Sequence, residues 1–219
     1  MFAEKLKINI KNFKENAARF IKPGLLLKSL SVAVVLSMLF AMVPFEADCK
    51  EINQEIFRLH ILANSDLDTD QAVKLKVRDA ILAATDNIYG DSTNKTAAIA
   101  NTELNLDEIE AIANAELKKS GFDYTAKAEV INMYFATRYY DDITMPAGNY
   151  DALRITLGKA QGQNWWCVMY PGLCIGAATD KQALHDGVTD SQYEIMDSDG
   201  KYEYKFKIVE AFEWFCSWF

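Results

Sequence analysis

At 219 residues, half of them apolar, the chain is long enough for one domain with a real core beside a leader, and too short to suggest two such domains. The formal charge of −8 is unevenly held: Met1 to Leu30 carry seven Lys and Arg against two acids, which leaves −13 on the rest. Such a body repels phosphate backbones, so nucleic acid is excluded as a natural partner.

The leader combines Arg19, Lys22 and Lys28 with the uncharged run Ser29 to Val43, followed by Pro44 and the acids Glu46 and Asp48. A basic flank, an apolar centre and a polar exit form the layout of a secretory signal, and the positive flank holds the N-terminus on the cytoplasmic side. A span of the hydrocarbon core takes about twenty residues, so the run is short unless Leu25 to Leu27 extend it past a snorkelling Lys28. Signal peptide and signal anchor are both open, and Phe45 makes a poor cleavage site after Ala47. The expected division is a leader and short stalk over residues 1–50 and an exported domain over 51–219.

In the body, Ile56 to Ala63 is rich in branched apolar residues and reads as a strand broken by Asn64-Ser65-Asp66. Ser65 with Asp68 then fits a helix cap, and Val73, Val77, Ala80, Ala84 and Ile88 recur at helical spacing, which predicts a helix from Asp68 to Tyr89. Asn105 with Glu108 is a second capping pair, ahead of an apolar face that ends by Gly121. Tyr124 to Asn132 alternates as a half-buried strand. The segments around Leu153 to Leu157 and Trp165 to Tyr170 read most simply as a hairpin, and Glu203 to Phe219 as a helix. The expected fold class is α+β, a mainly antiparallel sheet with packed helices after the N-terminal signal or anchor helix.

Tests for chemistry give little. His60 and His185 are the two histidines, and neither has a metal-ligand spacing; no phosphate loop or nucleophile elbow is present, and no cofactor is expected. Asp66, Asp68 and Asp70 alternate as in a calcium loop but lack its glycine and closing glutamate. Cys167 and Cys174 flank Pro171-Gly172; a four-residue loop sets them opposite each other, a two-residue turn sets them diagonally, and they are either a disulfide or two buried thiols. Trp165 and Trp166 point to opposite faces of their strand, so the outward one is a candidate contact.

Five blocks then stand out in order: FRLHILANSD (Phe57 to Asp66), QAVKLKVRDAIL (Gln71 to Leu82), LDEIEAIAN (Leu106 to Asn114), PAGNYDALRITLG (Pro146 to Gly158) and NWWCVMYPGLC (Asn164 to Cys174). Together they resemble the stage II sporulation protein R family, with departures at Tyr170, Gly172 and Gly176-Ala177. The resemblance implies a signalling protein made in the forespore and exported to the space between forespore and mother cell. There it would activate a membrane-embedded aspartic-type protease of the mother-cell membrane, so that a sigma-factor precursor is processed. On that reading the chain is not an enzyme, and its partners are the protease and, through the N-terminal segment, the membrane. The expected partner-binding residues are Arg58, His60, Asn64, Asp66, Arg78, Asp79, Trp165 and Trp166. The alternative is an exported cell-envelope hydrolase using His60 and Asp66.

Overall fold

The computed structural model describes residues 23–89, 92–140, 143–171, 181–197 and 202–216. It divides into two compact units, Met1–Phe45 and Glu46–Phe219.

Helix α1 (Pro23–Glu55) contains the apolar run and, inside it, Pro44. In the first unit Leu26, Leu27, Leu30, Val32, Val34, Leu36, Phe40 and Val43 are exposed, an apolar surface wider than the single stripe of an amphipathic helix. Counted over the described residues, no helix is long and apolar enough to cross a membrane.

In the second unit, β1 (Phe57–Leu62) leads into α2 (Asp68–Tyr89), α3 (Lys95–Leu104) and α4 (Leu106–Lys119). Strands β2 (Ala126–Phe135), β3 (Arg138–Tyr140), β4 (Ile143–Met145), β5 (Gly148–Leu157) and β6 (Asn164–Tyr170) follow, and then α5 (Lys181–Asp186), α6 (Asp190–Met196) and α7 (Glu203–Cys216). The main sheet has the order β2-β5-β1-β6, and β3 pairs with β4 in a separate two-stranded ribbon. Its outer pairs, β2 with β5 and β1 with β6, are antiparallel, whereas β1 and β5 run parallel. The fold is therefore α+β with a mainly antiparallel sheet, as the residue pattern suggests.

The expected hairpin is not formed. Strands β5 and β6 do run in opposite directions, but β1 lies between them, and residues 158–163 arch over its end. Gly158 adopts φ +56°, and a Cβ there would strike the Asn64 side chain; at Gly162 it would strike the Ser65 carbonyl. Glycine permits both the turn and the close approach.

Period-two alternation sorts β1 into two sets. Phe57, Leu59 and Ile61 face α2 and α4, where they join Val73, Val77, Ile109, Leu117, Leu153 and Ile155 in a fully apolar core. Arg58 and His60 face the other way, yet both are buried. Part of that second face is closed by the end of α1, whose Asn53 donates to Ala147 O (3.2 Å), and by the β3–β4 ribbon, whose Tyr140 meets Arg58.

The two expected caps differ in detail. Ser65 lies outside α2: its hydroxyl accepts from Leu67 N (3.2 Å) and donates to Asp70 Oδ2 (2.5 Å), so Asp70 rather than Asp68 is its acidic partner. Asn105 sits at the start of α4 without a capping hydrogen bond, because its amide turns back to Asn101 O (2.8 Å). Short α3 begins at an Asn94 cap that accepts from Ala97 N (2.9 Å). The predicted C-terminal helix is α7, whose Phe206 and Val209 are buried.

Candidate partner-binding site

The eight residues expected to bind a partner fall into three places. Asn64 and Asp66 form a latch at the end of β1. Asn64 Oδ1 accepts from Lys159 N (2.9 Å), and Asp66 Oδ1 accepts from Gln163 N (2.8 Å), so both hold the arch between β5 and β6. Behind them Asp70 accepts from Asn64 Nδ2 (2.8 Å), the Ser65 hydroxyl and the Tyr124 hydroxyl (2.7 Å). Burial alone would raise the pKa of Asp70, but the hydrogen bonds from Ser65, Tyr124 and Asn64 outweigh it and hold the carboxyl below its ordinary value. Buried Lys74 donates to Gln163 O (3.0 Å) and to Gln71 Oε1 (2.6 Å); burial lowers its pKa, and Asp66 opposes that shift. The NSD motif therefore closes a topologically demanding loop.

Arg78, Asp79 and Trp165 gather on the helix side. Arg78 lies 4.4 Å from the centroid of the Trp165 ring and pairs with the neighbouring carboxylate of Asp79 (2.6 Å). The Asp79 side chain is largely exposed. This is an ion pair on a tryptophan rim, an arrangement suited to either packing or recognition.

Arg58, His60 and Trp166 share the opposite face. Arg58, with none of its surface exposed, donates through Nε to Cys167 O (3.0 Å) and through Nη2 to the Tyr140 hydroxyl (2.7 Å). Its guanidinium carbon stands 4.5 Å from the ring centroid of Phe135 and 5.0 Å from that of Tyr150. Aromatic faces and two hydrogen bonds thus hold a cation that could not be buried alone. His60 stacks on Trp166 with parallel rings 3.9 Å apart, and its Nε2 meets Asn164 Oδ1 at 2.8 Å. Burial, chiefly, lowers its pKa to about 4; the Asn164 bond opposes this, and Arg154, Arg138 and Arg58 add to it. His60 is a neutral imidazole at ordinary pH.

For the hydrolase alternative, His60 would need an acid beside it. The structure instead engages His60 with Asn164 and Asp66 with the Gln163 backbone. Among the described residues no group of three His, Cys, Asp or Glu is placed to hold a metal ion. Cys167 is buried and disulfide-bonded, while Cys174, its expected partner, lies outside the described residues.

Reading the residues one by one passes over Phe135, Arg138, Tyr140 and Tyr150, which complete the Arg58–His60 face. Their one sequence signal is a density of aromatic residues between Tyr134 and Tyr150, with Arg138 among them.

The profile of stage II sporulation protein R matches residues 53–180, from the end of α1 through β6 and beyond. The chain belongs to the stage II sporulation protein R family. One relative is the stage II sporulation protein R of Bacillus subtilis (strain 168), 39% identical over 135 residues, an alignment that covers 62% of this chain and 60% of the relative. The chain thus matches less than two thirds of that relative's length. No solved structure matches. The latch, the sheet and the Arg58–His60 face all lie within the family match, whereas α7 lies beyond it.

Proposed function

We propose that this chain is a non-enzymatic sporulation signal, exported from the forespore, that binds a membrane-embedded aspartic-type protease of the mother cell and shifts it to its active state. Processing of a sigma-factor precursor is the output. Family membership carries this reading. The basic-then-apolar leader, with its exposed apolar side chains from Leu26 to Val43, agrees with export, and the acidic body agrees with a protein partner rather than a nucleic acid. A ligand can move such an equilibrium only by binding one receptor state better than the other, so a rigid, strongly cross-braced domain suits the task.

The test is reconstitution: co-express the full chain with the candidate protease and its precursor, and follow precursor cleavage. Cleavage that depends on the chain is expected. Its absence with an exported, folded chain would overturn the reading.

A further inference from the structure

The part of the sheet's second face around Trp166 carries a cationic and aromatic patch with an unfilled bonding capacity. Arg138, at the start of β3, places its guanidinium carbon 5.2 Å from the centroid of the Trp166 ring, which stacks in turn on His60. Among the described residues Arg138 has no hydrogen-bond or ion-pair partner, and its Nε is shielded from solvent without one; Nδ1 of His60 and Nη1 of Arg58 share that condition. Arg154, half-buried on β5, is paired with Glu129 (2.6 Å). Three arginines therefore act on His60, and among the described residues one of them, Arg154, is paired with a carboxylate, in a domain whose net charge beyond Leu30 is −13.

A shielded N–H without an acceptor keeps its desolvation cost uncompensated, and a carboxylate brought to the guanidinium would offset it. A guanidinium with one face on an indole still presents its planar edge, the geometry that matches a carboxylate. Tryptophan and arginine side by side are also the residues that dominate binding hot spots. We propose that the Arg138–Trp166 patch is the docking site for an acidic segment of a protein partner, with Arg138 receiving a carboxylate. This deepens the receptor reading above by naming the surface and the chemistry it seeks, but its first test stands apart from that reading.

The probe is a capped octapeptide of alternating Glu and Leu, titrated by calorimetry into the purified full chain, with the Lys–Leu peptide as control. The Glu peptide is expected to bind and the Lys peptide not, and Arg138→Gln should weaken binding about tenfold or more. Arg138→Lys, which keeps the charge, should recover part of the loss, and Lys118→Gln on exposed α4 should change nothing. Unaltered melting of the Arg138 variants checks their fold. Absence of binding by the unaltered chain, or equal affinity in Arg138→Gln, overturns the proposal. In the reconstitution, Arg138→Glu should reduce cleavage at unchanged export. Full cleavage by that variant would sink the patch and leave the receptor reading standing; no cleavage by the unaltered chain would sink the receptor reading, with the peptide titration still deciding the patch.

Discussion

The two faces of the main sheet solve burial by different means. Toward α2 and α4, Phe57, Leu59 and Ile61 meet other hydrocarbon, and the stabilisation scales with apolar area removed from water. Toward the β3–β4 ribbon, Arg58 and His60 are buried on the same strand, and what holds them is directional: ring faces, two guanidinium hydrogen bonds and a histidine–asparagine contact. One face tolerates any side chain of the right size. The other is specific to its chemistry.

Substitutions sharpen that contrast. On the apolar face, Leu59→Ala should cost about 3–4 kcal/mol in urea denaturation, through lost burial and the cavity left behind. On the polar face, Arg58→Ala should cost about 3 kcal/mol, because the Tyr140 hydroxyl and Cys167 carbonyl lose their partner, and Arg58→Met, which restores volume but neither bond, should recover little of that loss. Equal losses in Ala and Met would show that the bonds, not the volume, hold this face.

The faces also separate by pH. The His60 proton leaves near 6.5 in the unfolded chain and near 4 in the fold, so between these values the unfolded state holds the extra proton and stability falls as pH falls. The loss should reach about 2–3 kcal/mol by pH 4, and His60→Gln should remove the slope in that window. Asp70 of the latch acts lower: its carboxyl is held below the ordinary 3.8, so its contribution is present above that value and disappears in stronger acid. Asp70→Asn should cost about 2 kcal/mol at neutral pH, measured by thermal melting. Smallest is Arg78→Ala on the helix side, at about 0.5–1 kcal/mol for the lost contact with Trp165.

The residue pattern reveals α2 and β1 almost to the residue, because helical spacing and a branched apolar run are local signals with an abrupt break at Asn64-Ser65-Asp66. It misleads on β5 and β6. Adjacent strands of opposite direction usually pair, and nothing local announces that β1, about a hundred residues earlier, will take the place between them. The same distance hides the role of Arg58. In IFRLHILA it reads as one charge in an apolar run, and the rings that bury it, Phe135, Tyr140 and Tyr150, come from β2, β3 and β5. Asn64 and Asp66 stand out by motif, but their partners, Lys159 N and Gln163 N, are backbone groups with no sequence signature.

The central position of β1 has a consequence for the order in which the chain can fold. Its first strand emerges ahead of everything that can pair with it: β5 completes at Leu157 and β6 at Tyr170. Loop closure over such a distance is slow, so the main sheet cannot assemble until most of the chain is available. The latch, which ties Lys159 and Gln163 to the end of β1, can therefore close only after β5 is complete, although its own residues Asn64 and Asp66 are made among the first of the domain.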